Sequence, residues 1–223
     1  MQTIRLQGVL PVVFNGQVPS DPVSDVWGTD LLLERGKSYL IKAASGRGKS
    51  SLCSYIYGLR NDYEGVISFD GRSLSEISSS EWTDIRQAHL GVLFQDLRLF
   101  GDLNAVENVL IKAGLTSFCD EKKAVEMLCE LGLSDRLDRP VRLLSFGQQQ
   151  RVAFVRMMCQ KADFWMLDEP VSHLDVGNAG IMVQMLEREI SRTGTGLLVT
   201  TIGHDLPYKY DKLMKSEQIS VCF

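Results

Sequence analysis

Short apolar runs alternate along the chain with longer segments in which apolar residues recur at helical spacing. The runs from Val9 to Phe14, Ser38 to Lys42, Val66 to Phe69, Leu90 to Phe94, Phe164 to Leu167 and Leu197 to Thr201 predict strands. Strands that alternate with helices in this way predict an α/β fold on a mainly parallel sheet. One signal departs from that plan, because the run ending at Phe69 passes directly into Asp70-Gly71, a tight-reversal dipeptide that predicts an antiparallel edge. Between Leu97 and Lys161 the period becomes helical, with Ala124, Val125, Met127, Leu128 and Leu131 apolar among charged neighbours. This stretch predicts a helical subdomain inserted into the sheet domain. Ser73 to Ser80 predicts a loop running into a helix capped near Ser80. Asn15 to Asp25, with Gly16, Pro19 and Pro22, predicts an exposed connection, and Glu217 to Phe223 predicts at most a final strand.

The chemistry begins where the second of these strands turns into a helix. Ser45-Gly46-Arg47-Gly48-Lys49-Ser50-Ser51 lies between the apolar Tyr39-Leu40-Ile41 and the helix-like stretch from Leu52 to Tyr57. Glycine lets successive backbone N–H groups converge on one point, and the helix start adds the positive end of its dipole, so the turn reads as a phosphate cradle. In such a cradle Lys49 reaches the β- and γ-phosphates and the Ser50 hydroxyl holds Mg²⁺. Ala43 stands where the full G-x-x-x-x-G-K-[ST] pattern has glycine, which predicts slight strain there. A glycine-rich turn that binds nothing is the plainer alternative.

Two later runs add to this. Phe164 to Pro170 is an apolar strand ending in Asp168 and Glu169, which puts both carboxylates at the sheet edge where parallel α/β folds bind ligands. Asp168 is then placed to accept the water shell of Mg²⁺, and Glu169 to polarise a water for in-line attack on the γ-phosphate. A solvated acidic turn would look the same. Ser145 reads as the N-cap of a helix in which Val152, Val155 and Cys159 share one face. Its hydroxyl, the Gly147 N–H and the helix N-terminus together make a second phosphate site, unless this is an ordinary capped helix.

Composition narrows the partners. A chain of 223 residues that is 44% hydrophobic predicts one domain with a sizeable core. Its net charge of −4 argues against a general nucleic-acid binder, which needs a surplus of Lys and Arg. Five cysteines without a C-x-x-C pair fit reduced thiols better than a disulfide framework. The N-terminus lacks the pattern of a secretion signal, and no run of about 18 apolar residues predicts a membrane span.

Taken in order, these runs resemble the ATP-binding cassette (ABC) ATPases. That family's phosphate loop, glutamine loop, signature, acidic strand end, D-loop and switch histidine appear here as Ser45 to Ser51, Gln95, Leu144 to Gln148, Asp168-Glu169-Pro170, Ser172 to Asp175 and His204-Asp205. The resemblance covers nearly the whole chain. It implies a single domain with a RecA-like P-loop NTPase core and a small antiparallel β subdomain over residues 1–95 and 162–223, and a helical subdomain carrying the signature over 96–161. It also implies ATP and Mg²⁺, with Ser45, Gly46, Arg47, Gly48, Lys49, Ser50 and Ser51 on the nucleotide and Ser50, Gln95 and Asp168 on the metal. Glu169, His204 and Lys49 take the catalytic roles. Ser145, Gly147 and Gln148 would contact the nucleotide of a second copy in a head-to-tail homodimer, with Asp175 communicating across the pair. Phe14 is the candidate for stacking the adenine, with Trp27 and Tyr39 competing. Phe146 replaces the first signature glycine, and His204 comes two residues later than the family places it.

Within the family, Gly91 to Phe100 with Val106-Glu107-Asn108-Val109 looks like the stand-alone subunits of lipoprotein-release, macrolide-export and cell-division complexes. That implies a cytoplasmic ATPase, peripheral on the inner face of the cell membrane. It would drive a separate integral membrane subunit whose short helix enters a cleft beside Gln95, lined by the helical insertion. Two alternatives stay open: a nucleotide-dependent scaffold with weak turnover, motivated by Ala43, Phe146 and His204, and a soluble cassette ATPase outside transport.

Overall fold

A computed structural model describes residues 1–14 and 24–216. The expected connection as far as residue 23 and the expected final strand lie outside the described residues. The strands are β1 (Thr3–Pro11), β2 (Asp30–Glu34), β3 (Ser38–Lys42), β4 (Tyr63–Phe69), β5 (Arg72–Ser73), β6 (Leu90–Leu93), β7 (Phe164–Asp168), β8 (Gly196–Thr201) and β9 (Lys212–Lys215). The helices are α1 (Lys49–Ile56), α2 (Ser79–Ala88), α3 (Ala105–Thr116), α4 (Glu121–Glu130), α5 (Phe146–Met158) and α6 (Val176–Thr193).

Two sheets result. The central one has the order β6-β7-β8-β3-β9 with every neighbouring pair parallel. Its inner strands are buried on both faces, which is why they read as continuous apolar runs. Alternation along them divides the core in two. Tyr39, Ile41, Phe164, Met166 and Leu198 pack toward α1 and the second sheet, while Leu40, Trp165, Leu167, Leu197 and Val199 pack toward the side chains of α3 to α6. The second sheet has the order β2-β1-β4-β5 and is antiparallel. Asp70 and Gly71 both adopt positive φ between β4 and β5, so the reversal lies where that dipeptide predicts it.

The expected strand from Val9 to Phe14 is shifted: β1 runs from Thr3 to Pro11, and Phe14 ends a short 3-10 turn. The helix expected to be capped near Ser80 is capped two residues earlier, at Ser78, which forms a reciprocal capping box with Glu81. Three helices, α3 to α5, lie between β6 and β7, where the helical period is read. Among the described residues no helix is long and apolar enough to cross a membrane.

Candidate functional site

Three of the segments read as chemically active leave the same edge of the parallel sheet. The glycine-rich loop follows the C-terminus of β3, Gln95 follows that of β6, and Asp168 and Glu169 end β7. That edge is the ligand-binding side of parallel sheets, since each strand hands its chain to a loop and then to a helix N-terminus.

The loop turns on Gly46 and Gly48, with φ of 76° and 83°, and Gly48 is the N-cap of α1 without any side-chain cap. The first N–H groups of α1 therefore keep no side-chain partner from the cap and remain available to an anion. A Cβ on Gly48 would lie 2.9 Å from Cζ2 of Trp27, whose ring packs beneath the loop. Trp27 also donates its Nε1–H to the Arg47 carbonyl at 3.1 Å, fixing the turn from below. Ala43 does not adopt positive φ, so the strain expected there is absent and a side chain at this position costs nothing in backbone geometry.

Lys49, Asp168 and Glu169 are the enclosed charges of the site: Asp168 is 3% exposed, and the Lys49 and Glu169 side chains are 5% and 9% exposed with 3.9 Å between Nζ and Oε1. Lys49 Nζ donates to the carbonyls of Ala43 at 2.8 Å and Ala44 at 2.9 Å. Burial pushes the ammonium below its ordinary value, and the Glu169 and Asp168 carboxylates pull it back up. Asp168 accepts from the Thr200 hydroxyl at 2.6 Å, and Gln95 donates its Nε2–H to Glu169 Oε2 at 3.4 Å. Ser50 Oγ faces Gln95 Oε1 at 3.5 Å. Ser50, Gln95 and Asp168 thus line one cleft of about 290 Å³ together with Ser54, Phe94, Asp96 and Arg98. The helical insertion contributes only Asp96 and Arg98 to this cleft, and none of α3 to α5 lines it, in contrast to the expectation.

Glu169 adopts φ of 51°, a left-handed conformation that costs a residue with a side chain roughly 1–2 kcal/mol. Two bonds hold it there: its N–H donates to the Thr200 carbonyl at 2.9 Å, and its carbonyl accepts from the buried Gln150 Nε2 at 3.1 Å. No local sequence pattern marks Gln150, Thr200 or Trp27 for these supporting roles. A glutamine on the otherwise apolar buried side of α5 was the one available signal.

The second expected phosphate site forms as a capped helix. Ser145 is the N-cap of α5, its hydroxyl accepts from the Gln148 N–H, and Gln148 Oε1 returns a bond to the Ser145 N–H at 2.9 Å. Gly147 is required by a close approach, because a Cβ there would sit 2.7 Å from the carbonyl oxygen of His173. Phe146, 43% exposed, meets the His173 ring edge-on at 4.4 Å between centroids. Asp175 is occupied as the N-cap of α6, accepting from the Asn178 N–H at 2.9 Å.

Neither His204 nor Phe14 makes a side-chain hydrogen bond to the charged groups of the site among the described residues. His204 is exposed, and what anchors it is its main chain, whose carbonyl accepts from the Thr201 hydroxyl at 2.9 Å; its ring makes no hydrogen bond to Lys49, Asp168 or Glu169 among the described residues. Phe14 is a core residue, 6% exposed among Ile4, Leu6 and Val9, and has no free face for an adenine. This corrects the stacking expectation, and Trp27 and Tyr39 are buried as well.

A family model described as ABC transporter matches residues 27–172. The lipoprotein-releasing system ATP-binding protein LolD of Novosphingobium aromaticivorans is 31% identical over 191 residues, covering 84% of this chain and 85% of LolD. The macrolide export ATP-binding/permease protein MacB of Shewanella sp. strain ANA-3 is 36% identical over 79% of this chain, which spans only 27% of MacB. Among solved structures, the dimeric ATP-binding cassette MJ0796 in a post-hydrolysis state bound to ADP and Pi superposes with a TM-score of 0.75 at 26% identity, over 91% of this chain and 88% of that one. With a glycine-turned cradle, a glutamine and an acidic strand end at one sheet edge and a capped helix at the signature run, the chain belongs to the ABC transporter family as one of its ATP-binding cassettes.

Proposed function

We propose that the chain binds ATP with Mg²⁺ in the cradle and that two copies, paired head to tail, hydrolyse it to drive a membrane-embedded partner. The observation that carries this reading is the buried Glu169 carboxylate, held against Gln95 and Lys49 at the mouth of the cradle. One ammonium faces two carboxylates there, so a triphosphate enters best together with a divalent cation. Ser50, Gln95 and Asp168 offer the hard oxygen donors that suit Mg²⁺. That ion would supply charge neutralisation on the phosphates.

The protein's own groups do the rest. The N–H groups of the glycine turn and of α1 bind phosphate oxygens, and Lys49 exchanges its two carbonyl acceptors for the γ-phosphate. Glu169 accepts a proton from the attacking water, and its strained backbone keeps the carboxylate in place while Gln95 orients it. Ser145 and the α5 N-terminus of the second copy close over the same phosphate, with Phe146 and His173 packed beside them. The pairing is supported by the dimeric state of the neighbouring cassette, and a membrane partner by the transporter systems to which the relatives belong.

Light scattering with and without ATP, run beside a turnover assay, tests the reading. Wild-type protein is expected to turn over ATP, and Ser145→Glu, which puts a carboxylate against the partner's γ-phosphate, is expected to abolish pairing and turnover while leaving ATP affinity intact. ATP-dependent pairing without any turnover, even with the membrane partner present, favours the scaffold reading. Gly48→Ala is expected to weaken ATP binding roughly tenfold or more, since positive-φ strain of about 1–2 kcal/mol adds to a collision with Trp27. Calorimetric titration with ATP measures it.

A further inference from the structure

Far along the chain from the cradle, two thiols face each other inside the helical part. Cys119 lies in the link between α3 and α4, and Cys159 is the C-cap of α5. Their Sγ atoms are 2.9 Å apart although 40 positions separate them. Both are buried, 6% and 0% exposed, and Met127 Sδ lies 3.8 Å from Cys159 Sγ on the other side. Nothing in the nucleotide chemistry uses them. Sulfur atoms this close are within a small displacement of the bond length of a disulfide, about 2.05 Å.

We propose that Cys119 and Cys159 form a dithiol site that a hydroperoxide oxidises to an intramolecular disulfide and that small thiols restore. The surroundings assign the two roles. Beside Cys119, the buried Glu189 carboxylate is shared by two cations, Lys123 at 3.0 Å and Arg192 at 2.7 Å, and the adjacent Asp120 supplies a second carboxylate. Both cations also lie over the ring of Phe118, the residue preceding Cys119. The hydrogen bond shared with Cys159 holds the Cys119 thiol below its ordinary value, with Lys123 adding to this and burial, Asp120 and Glu189 opposing it. The same contact, with burial, keeps Cys159 protonated.

Cys119 is therefore the attacking thiolate. It attacks one peroxide oxygen, the O–O bond breaks, and the departing hydroxide takes up a proton to leave as water, or as an alcohol from an organic hydroperoxide. Cys119 is now a sulfenic acid. The Cys159 sulfur then attacks the Cys119 sulfur, the S–O bond breaks as the S–S bond forms, and the hydroxyl leaves as water with the Cys159 proton. Two thiols lose two electrons and the peroxide gains them. Burial selects a small oxidant, since a thiol as enclosed as Cys119 admits hydrogen peroxide far more readily than a peptide disulfide. Cys129 is more exposed and has no sulfur partner among the described residues, which makes it an internal control.

The test treats the folded full-length protein with hydrogen peroxide, blocks remaining thiols after denaturation, and maps the cysteine peptides by mass spectrometry. A peptide pair joined through Cys119 and Cys159 is expected, with both thiols lost together and recovered with dithiothreitol. In Cys159→Ala, Cys119 is expected to accumulate as a sulfenic acid that dimedone traps. Recovery of Cys119 and Cys159 as free thiols while Cys129 oxidises, or their separate overoxidation without a joined peptide in wild-type protein, overturns the proposal. Wild-type mapping decides the matter even if the variant folds poorly.

Discussion

Glu169→Gln is expected to lower ATP turnover at least about a hundredfold, because a general base in a positioned site contributes roughly 10²–10⁴ in rate and glutamine cannot take a proton. The substitution keeps the shape of the side chain, so Gln95 retains an oxygen to donate to at the Glu169 position. Backbone bonds to Thr200 and Gln150 are independent of the side chain and still hold the φ of 51°. What does change besides the base is the interaction with Lys49 across 3.9 Å, and losing it frees the ammonium for phosphate. Nucleotide affinity is therefore expected to stay equal or rise while kcat collapses, and ATP-bound pairs are expected to persist long enough to be seen by size-exclusion chromatography. Unchanged turnover in purified, partner-bound protein would remove Glu169 from the chemistry.

Lys49→Ala acts earlier, on binding. A charge-assisted hydrogen bond contributes about 1.5–3 kcal/mol, which corresponds to a loss of roughly ten- to 150-fold in ATP affinity. The truncation also leaves the Ala43 and Ala44 carbonyls without their donor and removes the ammonium that faces Asp168 and Glu169. Phosphate would then meet an uncompensated negative site, so the upper part of that range is expected. Lys49→Arg keeps the charge and separates the two causes. Its longer planar group cannot reproduce one nitrogen bound to two adjacent carbonyls, and it is expected to recover affinity only partly. Titration calorimetry of the three proteins measures this, and equal affinities for wild type and Lys49→Ala would place the phosphates elsewhere.

The parts of the fold legible in advance are those whose pattern is local. Strand β3 is readable to the residue and β6, β7 and β8 to within one, because strands buried on both faces carry runs of consecutive apolar residues. The start of α5 was readable because Ser145 and Gln148 cap it reciprocally within four residues. Five strands escaped notice in whole or part, among them the start of β4 and the two-residue β5. The first half of β1 and all of β2 bury only alternate residues, and β9 buries one residue in four, so polar positions dilute the signal. Their strand character comes from partners distant in sequence: β2 pairs with β1, and β9 with β3.

The site divides in the same way. A glycine turn before a helix, two acids after an apolar strand and a serine before a helical run are short-range features, so the residues themselves named the groups proposed for phosphate and acid–base chemistry. Their arrangement did not follow from any run of letters. Trp27 supports Gly48 across the intervening sheet strands, Gln150 reaches from α5 to fix the Glu169 carbonyl, and Phe14 turns inward once β1 ends at Pro11. Cys119 meets Cys159 only because α3, α4 and α5 pack on one another. Sequence by itself determined the kinds of chemistry present, since backbone conformation and side-chain type are local properties. Only the tertiary structure decided which of those groups touch, because contact between distant positions depends on how sheets and helices pack around a shared core.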